Sequence, residues 1–99
     1  MRYISTRGEA PVLGFCDALL AGLARDGGLY LPESWPQFTN AEIAAFAGKS
    51  YQDIAFSILS RFTGGEIAPE NLRSMINEAY AAFRHDAVCP LVQTGANEF

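Results

Sequence analysis

One lysine, one histidine and two cysteines among 99 residues leave little room for side-chain chemistry. Lys49 is the one side-chain amine open to a Schiff base with an aldehyde cofactor. It falls between Gly48 and Ser50 in a short interhelical connection, where a solvated lysine is the ordinary finding. His85, between Arg84 and Asp86, is the one side chain that ordinarily titrates near neutrality, and hence the obvious general base. The negative end of a helix dipole favours a histidine in a last turn, and that reading outweighs catalysis. Cys89 is the thiol nearest to it, and nothing in the sequence activates that thiol. A small hydrolase using His85 with Asp86 or Cys89 is therefore the weakest reading. Cys16 and Cys89 lie far apart without neighbouring Cys or His at ligand spacing, so no zinc site or disulfide framework is expected and the thiols are read as reduced.

Long apolar runs are missing as well. The longest, Ala18 to Ala24 broken by Gly22, is far short of the roughly 20 residues of a membrane span. The polar opening from Met1 to Glu9 lacks the apolar stretch of an export signal, so a cytoplasmic protein that meets no membrane is expected. Basic residues number seven against eleven acidic ones, for a net charge of −4, and they are scattered from Arg2 to Arg84. Phosphate-backbone binding draws on a clustered basic face, so nucleic acid is excluded as a partner. Walker loops, dinucleotide fingerprints and nucleophile elbows are absent. The glycine pairs Gly27-Gly28 and Gly64-Gly65 read as helix terminators rather than phosphate cradles.

What is present suits one compact domain over residues 1–99, with 49% hydrophobic and 18% charged residues. Tyr3, Ile4 and Thr6 predict a short strand over Arg2 to Thr6. Phe15, Leu19 and Leu23, widened by Leu20 and Ala24, predict an amphipathic helix that ends near Asp26-Gly27-Gly28. Leu29-Tyr30-Leu31 reads as extended and is stopped by Pro32. Thr39 and Glu42 form a capping box for a helix over Asn40 to Ala47, and Ser50 with Asp53 repeats the arrangement for the next. That next helix carries the apolar set Tyr51, Ile54, Ala55, Ile58, Leu59 and Phe62. Pro69 opens a last helix with the expected buried stripe Leu72, Ile76, Ala79, Tyr80 and Phe83. Val88 to Val92 reads as a final short strand weakened by Pro90. The aromatic residues Tyr51, Phe56, Phe62, Tyr80 and Phe83 are read as core, and Trp35 in its proline-flanked loop as a candidate for contact with another surface. The fold class is α+β and mainly helical, with three to four helices and two to three short strands. Such a set cannot close the sheet of a doubly wound fold and reads as a helical cap.

Several segments together resemble the opening of threonine synthases. They are Tyr3-Ile4-Ser5-Thr6-Arg7-Gly8, then Phe15 with the Ala18 to Ala24 run, and Asp26-Gly27-Gly28-Leu29-Tyr30-Leu31-Pro32. Tyr51 to Leu59, Gly64-Gly65-Glu66-Ile67, and Tyr80 to Val92 with Phe83, His85 and Pro90 follow in the family's order. The resemblance implies an enzyme that uses pyridoxal phosphate to convert O-phosphohomoserine and water into threonine and phosphate. Its Schiff-base lysine would lie in a His-Gly-Pro-Thr and Phe-Lys-Asp motif, expected shortly beyond Asn97-Glu98-Phe99. That motif does not occur here. No catalytic, cofactor-binding or metal residue is therefore carried onto this sequence, and this segment alone is expected to bind no cofactor and to be inactive. The implied role is structural, with Leu29, Tyr30, Pro32 and Trp35 as the candidate face that docks on the catalytic domains of the same parent chain. Arg7 and the Gly27-Gly28 turn remain open positions for approach to the substrate. The alternative is a free-standing protein-interaction module with the same fold.

Overall fold

A computed structural model describes residues 1–99. The elements run β1 (Tyr3–Ser5), α1 (Phe15–Ala21), β2 (Tyr30–Pro32), α2 (Asn40–Ala44), α3 (Tyr51–Thr63) and α4 (Pro69–Ala81). Four helices and one two-stranded sheet make the fold α+β and mainly helical.

β1 and β2 pair antiparallel, with Tyr3 opposite Pro32, Ile4 opposite Leu31 and Ser5 opposite Tyr30. Alternation of side chains along β1 buries Tyr3 and Ser5 and turns Ile4 outward. Tyr3 also exchanges two backbone hydrogen bonds with Leu13, of 2.8 and 3.1 Å, which draws the following loop onto the other edge.

α1 is shorter than the sequence pattern predicts. It stops at Ala21 because Gly22 takes a φ of +68°, a left-handed value that only glycine adopts without strain. Leu23 then reaches across to Leu29 as an isolated bridge, and the Ala24 amide bonds the Gly28 carbonyl at 2.9 Å. Asp26-Gly27-Gly28 therefore closes a turn between two paired segments and does not end the helix.

The capping box at Thr39 forms as expected. The Glu42 amide donates to the Thr39 hydroxyl at 3.1 Å, and the Thr39 amide to the Glu42 carboxylate at 2.7 Å. Beyond Ala44 the chain tightens into i→i+3 bonds, among them Phe46 to Ile43 and Lys49 to Phe46, so α2 falls short of Ala47. At α3 only half of the second box forms. Ser50 accepts from the Asp53 amide at 3.1 Å, whereas the Asp53 carboxylate turns away to Arg73, 2.6 Å distant.

α3 and α4 pack side by side and antiparallel. Tyr51 at the start of α3 meets Tyr80 near the end of α4 edge-on, with ring centroids 4.9 Å apart. Between them the Arg73 guanidinium binds Asp53 and lies 4.4 Å over the Phe56 ring. Gly64, with φ +60°, ends α3, and Pro69 occupies the first turn of α4. The buried stripe of α4 is narrower than predicted: Leu72 and Ile76 are buried and Tyr80 is half-buried, but Ala79 and Phe83 are exposed. Phe83 falls beyond the helix end and contributes only its ring contact with Tyr80.

Val88 to Val92 is not a strand. Val88 has a φ of +61° and donates to the His85 carbonyl at 2.9 Å, which turns the backbone out of extended geometry, and Pro90 has no amide for a ladder. The one pairing in this tail is the bridge between Gly95 and Glu98. No helix is long and apolar enough to cross a membrane.

The core is thin. Ten residues are buried, and no large side chain is wholly removed from solvent. The radius of gyration is 16.6 Å, against about 13 Å for a compact domain of this length. Much of the apolar surface that would normally meet inside a domain stays on the outside.

Candidate docking surface and its polar supports

A single carboxylate organises the N-terminal part. Asp26 accepts the Ser5 hydroxyl at 2.7 and 2.8 Å, the Gly28 amide at 2.9 Å and the Glu9 amide at 2.9 Å. Hydrogen bonds to the ionised form, that of Ser5 foremost, hold its pKa below the usual carboxylate value. Arg7 donates to the Asp26 carbonyl at 3.0 Å, and Thr6 accepts the Leu29 amide at 3.0 Å. A Cβ at Gly27, whose φ is +84°, would sit 2.6 Å from the Arg7 guanidinium. The Ser5-Thr6-Arg7 and Asp26-Gly27-Gly28 segments thus form one buckle. Its hydroxyl and carboxylate are spent on each other and leave no free nucleophile.

A second support spans most of the chain. Gly14 at the N-cap of α1 offers no side chain, and Glu66, from the α3–α4 connection, takes that place. Its carboxylate accepts the Phe15 amide at 2.5 Å and the Cys16 amide at 3.4 Å. A Cβ at Gly14 would meet this carboxylate at 2.8 Å, so a side chain there would push the Glu66 cap aside. Beside it the Tyr3 hydroxyl donates to the Phe62 carbonyl at 2.5 Å. Burial and then the nearby Glu66 charge raise the Tyr3 pKa.

Leu29, Tyr30, Pro32 and Trp35 do not make one face. Leu29 is exposed, while Tyr30 is half-buried with its hydroxyl on the Pro11 carbonyl at 2.9 Å. Pro32 is buried, because the β2 pleat turns it inward opposite Tyr3. Trp35 lies edge-on to Phe62 at 6.0 Å yet keeps 59% of its surface open.

The spacing predicts Leu19, Leu20 and Leu23 on the apolar face of one amphipathic helix, whereas α1 ends before Leu23. All three leucines lie outside: Leu19 is 67% exposed, Leu20 84% and Leu23 66%, and Ala18 is the buried residue of the helix. The overlooked signal is the crowding of three leucines, Leu19, Leu20 and Leu23, on and just beyond one short helix. An open groove of about 180 Å³ between α1 and the sheet is lined by Tyr3, Phe15, Ala18, Leu19, Gly22 and Tyr30. Another, of about 230 Å³, lies against α3 and α4 between Tyr51, Ile54, Ala55, Ile58, Leu59 and Tyr80.

The remaining candidates for chemistry are not assembled. His85 Nδ1 accepts the Ala87 amide at 3.0 Å and so closes its own turn, without a bond to Asp86 or Cys89. Cys89 Sγ stands 3.5 Å from the Tyr51 hydroxyl, whose pKa is pushed up to about 12, mainly by that contact. Both cysteines are free thiols, and no cluster of His, Cys, Asp or Glu is arranged to hold a metal. Pyridoxal phosphate needs a lysine in a pocket and donors for its phosphate. Lys49 lies exposed on the α2–α3 connection, and neither groove is lined by a lysine or an arginine. The residues of this chain do not fit that group.

Comparison with known proteins places these features. Residues 2–80 match the family model described as threonine synthase N terminus. The threonine synthase of Pseudomonas aeruginosa is 52% identical over 99 residues, which are 100% of this chain and 21% of that protein. That of Saccharomyces cerevisiae is 41% identical over 101 residues, covering 97% of this chain and 20% of the relative. Among solved structures, a threonine synthase from Brucella melitensis described as bound to pyridoxal phosphate superimposes with a TM-score of 0.92 at 67% identity. The overlap covers 98% of this chain and 21% of that one. The yeast threonine synthase structure gives 0.85 at 38% identity, over 94% of this chain and 19% of its own. The chain spans about a fifth of the length of these relatives.

Proposed function

The chain belongs to the threonine synthase family, and from that membership we propose that it is the N-terminal structural domain, residues 1–99, of a pyridoxal-phosphate-dependent enzyme. The reaction is conversion of O-phosphohomoserine and water into threonine and phosphate, a carbon–oxygen lyase step in the cytoplasm. The partner is the catalytic portion of the same enzyme, which supplies the lysine and the phosphate-binding groups, and the 99-residue segment alone is inactive. Pyridoxal phosphate provides the electron sink for such chemistry. The observation that carries the reading is the family match over residues 2–80, on a fold that overlays the start of a threonine synthase described as bound to this cofactor. The poor fit of Lys49 and of both grooves to the cofactor agrees with a structural role.

The test has two arms. The isolated chain, titrated with pyridoxal phosphate, is expected to develop no visible absorbance of lysine-bound cofactor and to release no phosphate from O-phosphohomoserine. A chimera in which this chain replaces the N-terminal fifth of the Pseudomonas aeruginosa enzyme is expected to make threonine. Saturable absorbance by the isolated chain, lost on Lys49→Ala, would overturn the structural assignment. A folded chimera that binds cofactor but makes no threonine would overturn the enzymatic one.

A further inference from the structure

Resting on that reading, we infer that the outward face of α1 and the turn beyond it, carrying Leu19, Leu23 and Leu29, is the surface that docks on the cofactor-binding remainder of the enzyme. The Trp35 loop is not. Each of the three leucines leaves more than half of its surface open, with Leu20 beside them more exposed still. The bridge between Leu23 and Leu29 sets two of them side by side, and the groove between α1 and the sheet, into which Leu19 opens, can receive a protruding apolar side chain. Exposed apolar area of this density on a fixed scaffold marks an interaction site.

The scaffold under this face is locked from both ends. Glu66 pins the start of α1, and the Asp26 buckle holds the turn from Ala24 to Leu29. Docking on a surface already held in place loses little conformational freedom. Trp35 by contrast already spends part of its ring on Phe62. The exposed Leu91, Val92 and Phe99 lie outside any helix or strand and lack such support.

Two occupants compete, a second copy of this chain and the rest of the enzyme. α1 has seven residues, about 10 Å of helix, too short a ridge to bury by itself the roughly 800 Å² per partner of a stable dimer. It suits one patch of a continuous contact with a larger body. The relatives run to about five times the length of this chain, and covalent linkage presents that body at high local concentration. The wide radius of gyration and thin core are what a segment completed by such a body would have.

The experiment uses the chimera described above, with Leu19→Asp and, separately, Leu23→Gln, which preserves side-chain volume. Trp35→Ser serves as the comparison. Limited proteolysis at the junction is expected to quicken at least tenfold for both leucine variants and less than twofold for Trp35→Ser. Far-UV circular dichroism of the isolated chain is expected to be unchanged by all three, which separates undocking from unfolding. Leucine variants as protease-resistant as the parent chimera, or a larger effect from Trp35→Ser, would overturn the assignment of the face. An isolated chain that dimerises, and becomes monomeric on Leu19→Asp while the chimera is unaffected, would overturn it in favour of a second copy. A parent chimera that folds and resists protease but makes no threonine would count against the enzymatic reading and leave the face standing.

Discussion

The α3–α4 hairpin and the N-terminal module of β1, α1 and β2 are held together by different means. In the hairpin, neighbours in sequence do most of the work: Ser50 caps α3 three residues on, Gly64 ends it, and Pro69 opens α4 five residues later. The N-terminal module rests on contacts between distant residues. Ser5 meets Asp26, Glu66 caps Phe15 from 51 positions away, and Tyr3 reaches Phe62 across 59. Its regular elements are three, seven and three residues long, too short to persist on propensity alone. The hairpin is therefore the more independent unit, and the module depends on it.

The largest expected effect breaks that support. Ile76 is 4% exposed at the centre of the hairpin, and Ile76→Ala is expected to cost about 3 kcal/mol through lost burial and the cavity left behind. Differential scanning calorimetry would register a fall in Tm of roughly 15 °C. If the module depends on the hairpin, amide protection in β1 and β2 falls with that of α4; protection surviving in the sheet would show two independent units. Gly27→Ala comes next. A left-handed φ of +84° costs an alanine about 1 to 2 kcal/mol, and the Arg7 guanidinium must also move. Its damage is expected to stay in the module, seen as lost protection at Leu29 and Gly28 with α3 and α4 unaffected. Smaller again is Glu66→Ala, at about 1 kcal/mol for a lost cap. Hydrogen exchange at Phe15 and Cys16 is expected to quicken, whereas Ser50→Ala, of similar size, would quicken exchange only at the start of α3.

That contrast also marks what the residue pattern makes legible. The Thr39 box, the Ser50 cap, the Gly64 stop and the Pro69 start are each specified within four residues, and each forms. Several misreadings fall where a distant partner decides, whereas the early end of α2 and the turn at Val88 are set by near neighbours. Gly22 rather than Gly27 ends α1, because Leu23 finds Leu29 across the turn. The Asp53 carboxylate leaves its cap for Arg73, twenty positions on. Pro32 is buried by strand register, which a three-residue run does not announce. At the candidate surface the apolar periodicity of α1 was visible, but periodicity marks only a face that prefers to leave water. Whether that face meets this chain's own core or another body depends on how many layers the fold supplies, and here it supplies too few.

Acid and salt separate the two regions with the smallest effect. Asp26 and Asp53 are both held below the usual carboxylate pKa, Asp26 chiefly by the Ser5 hydroxyl and Asp53 chiefly by Arg73. A carboxyl with a lowered folded-state pKa contributes stability that is complete above its unfolded value, about pH 3.9, and is lost as pH falls through the folded value. Urea midpoints are therefore expected to fall below about pH 4, and the pH dependence to weaken in both Asp26→Asn and Asp53→Asn. Salt distinguishes them. The Asp53–Arg73 pair is a half-exposed ion pair, screened when ionic strength rises from about 0.05 to 0.5 M, whereas Asp26 is served mainly by neutral donors. Added salt is expected to shrink the difference between wild type and Asp53→Asn and to leave that of Asp26→Asn nearly intact. Equal shrinkage in the two variants would mean that the positive charge of Arg7, rather than the hydrogen bonds of Ser5, Glu9 and Gly28, stabilises the buckle.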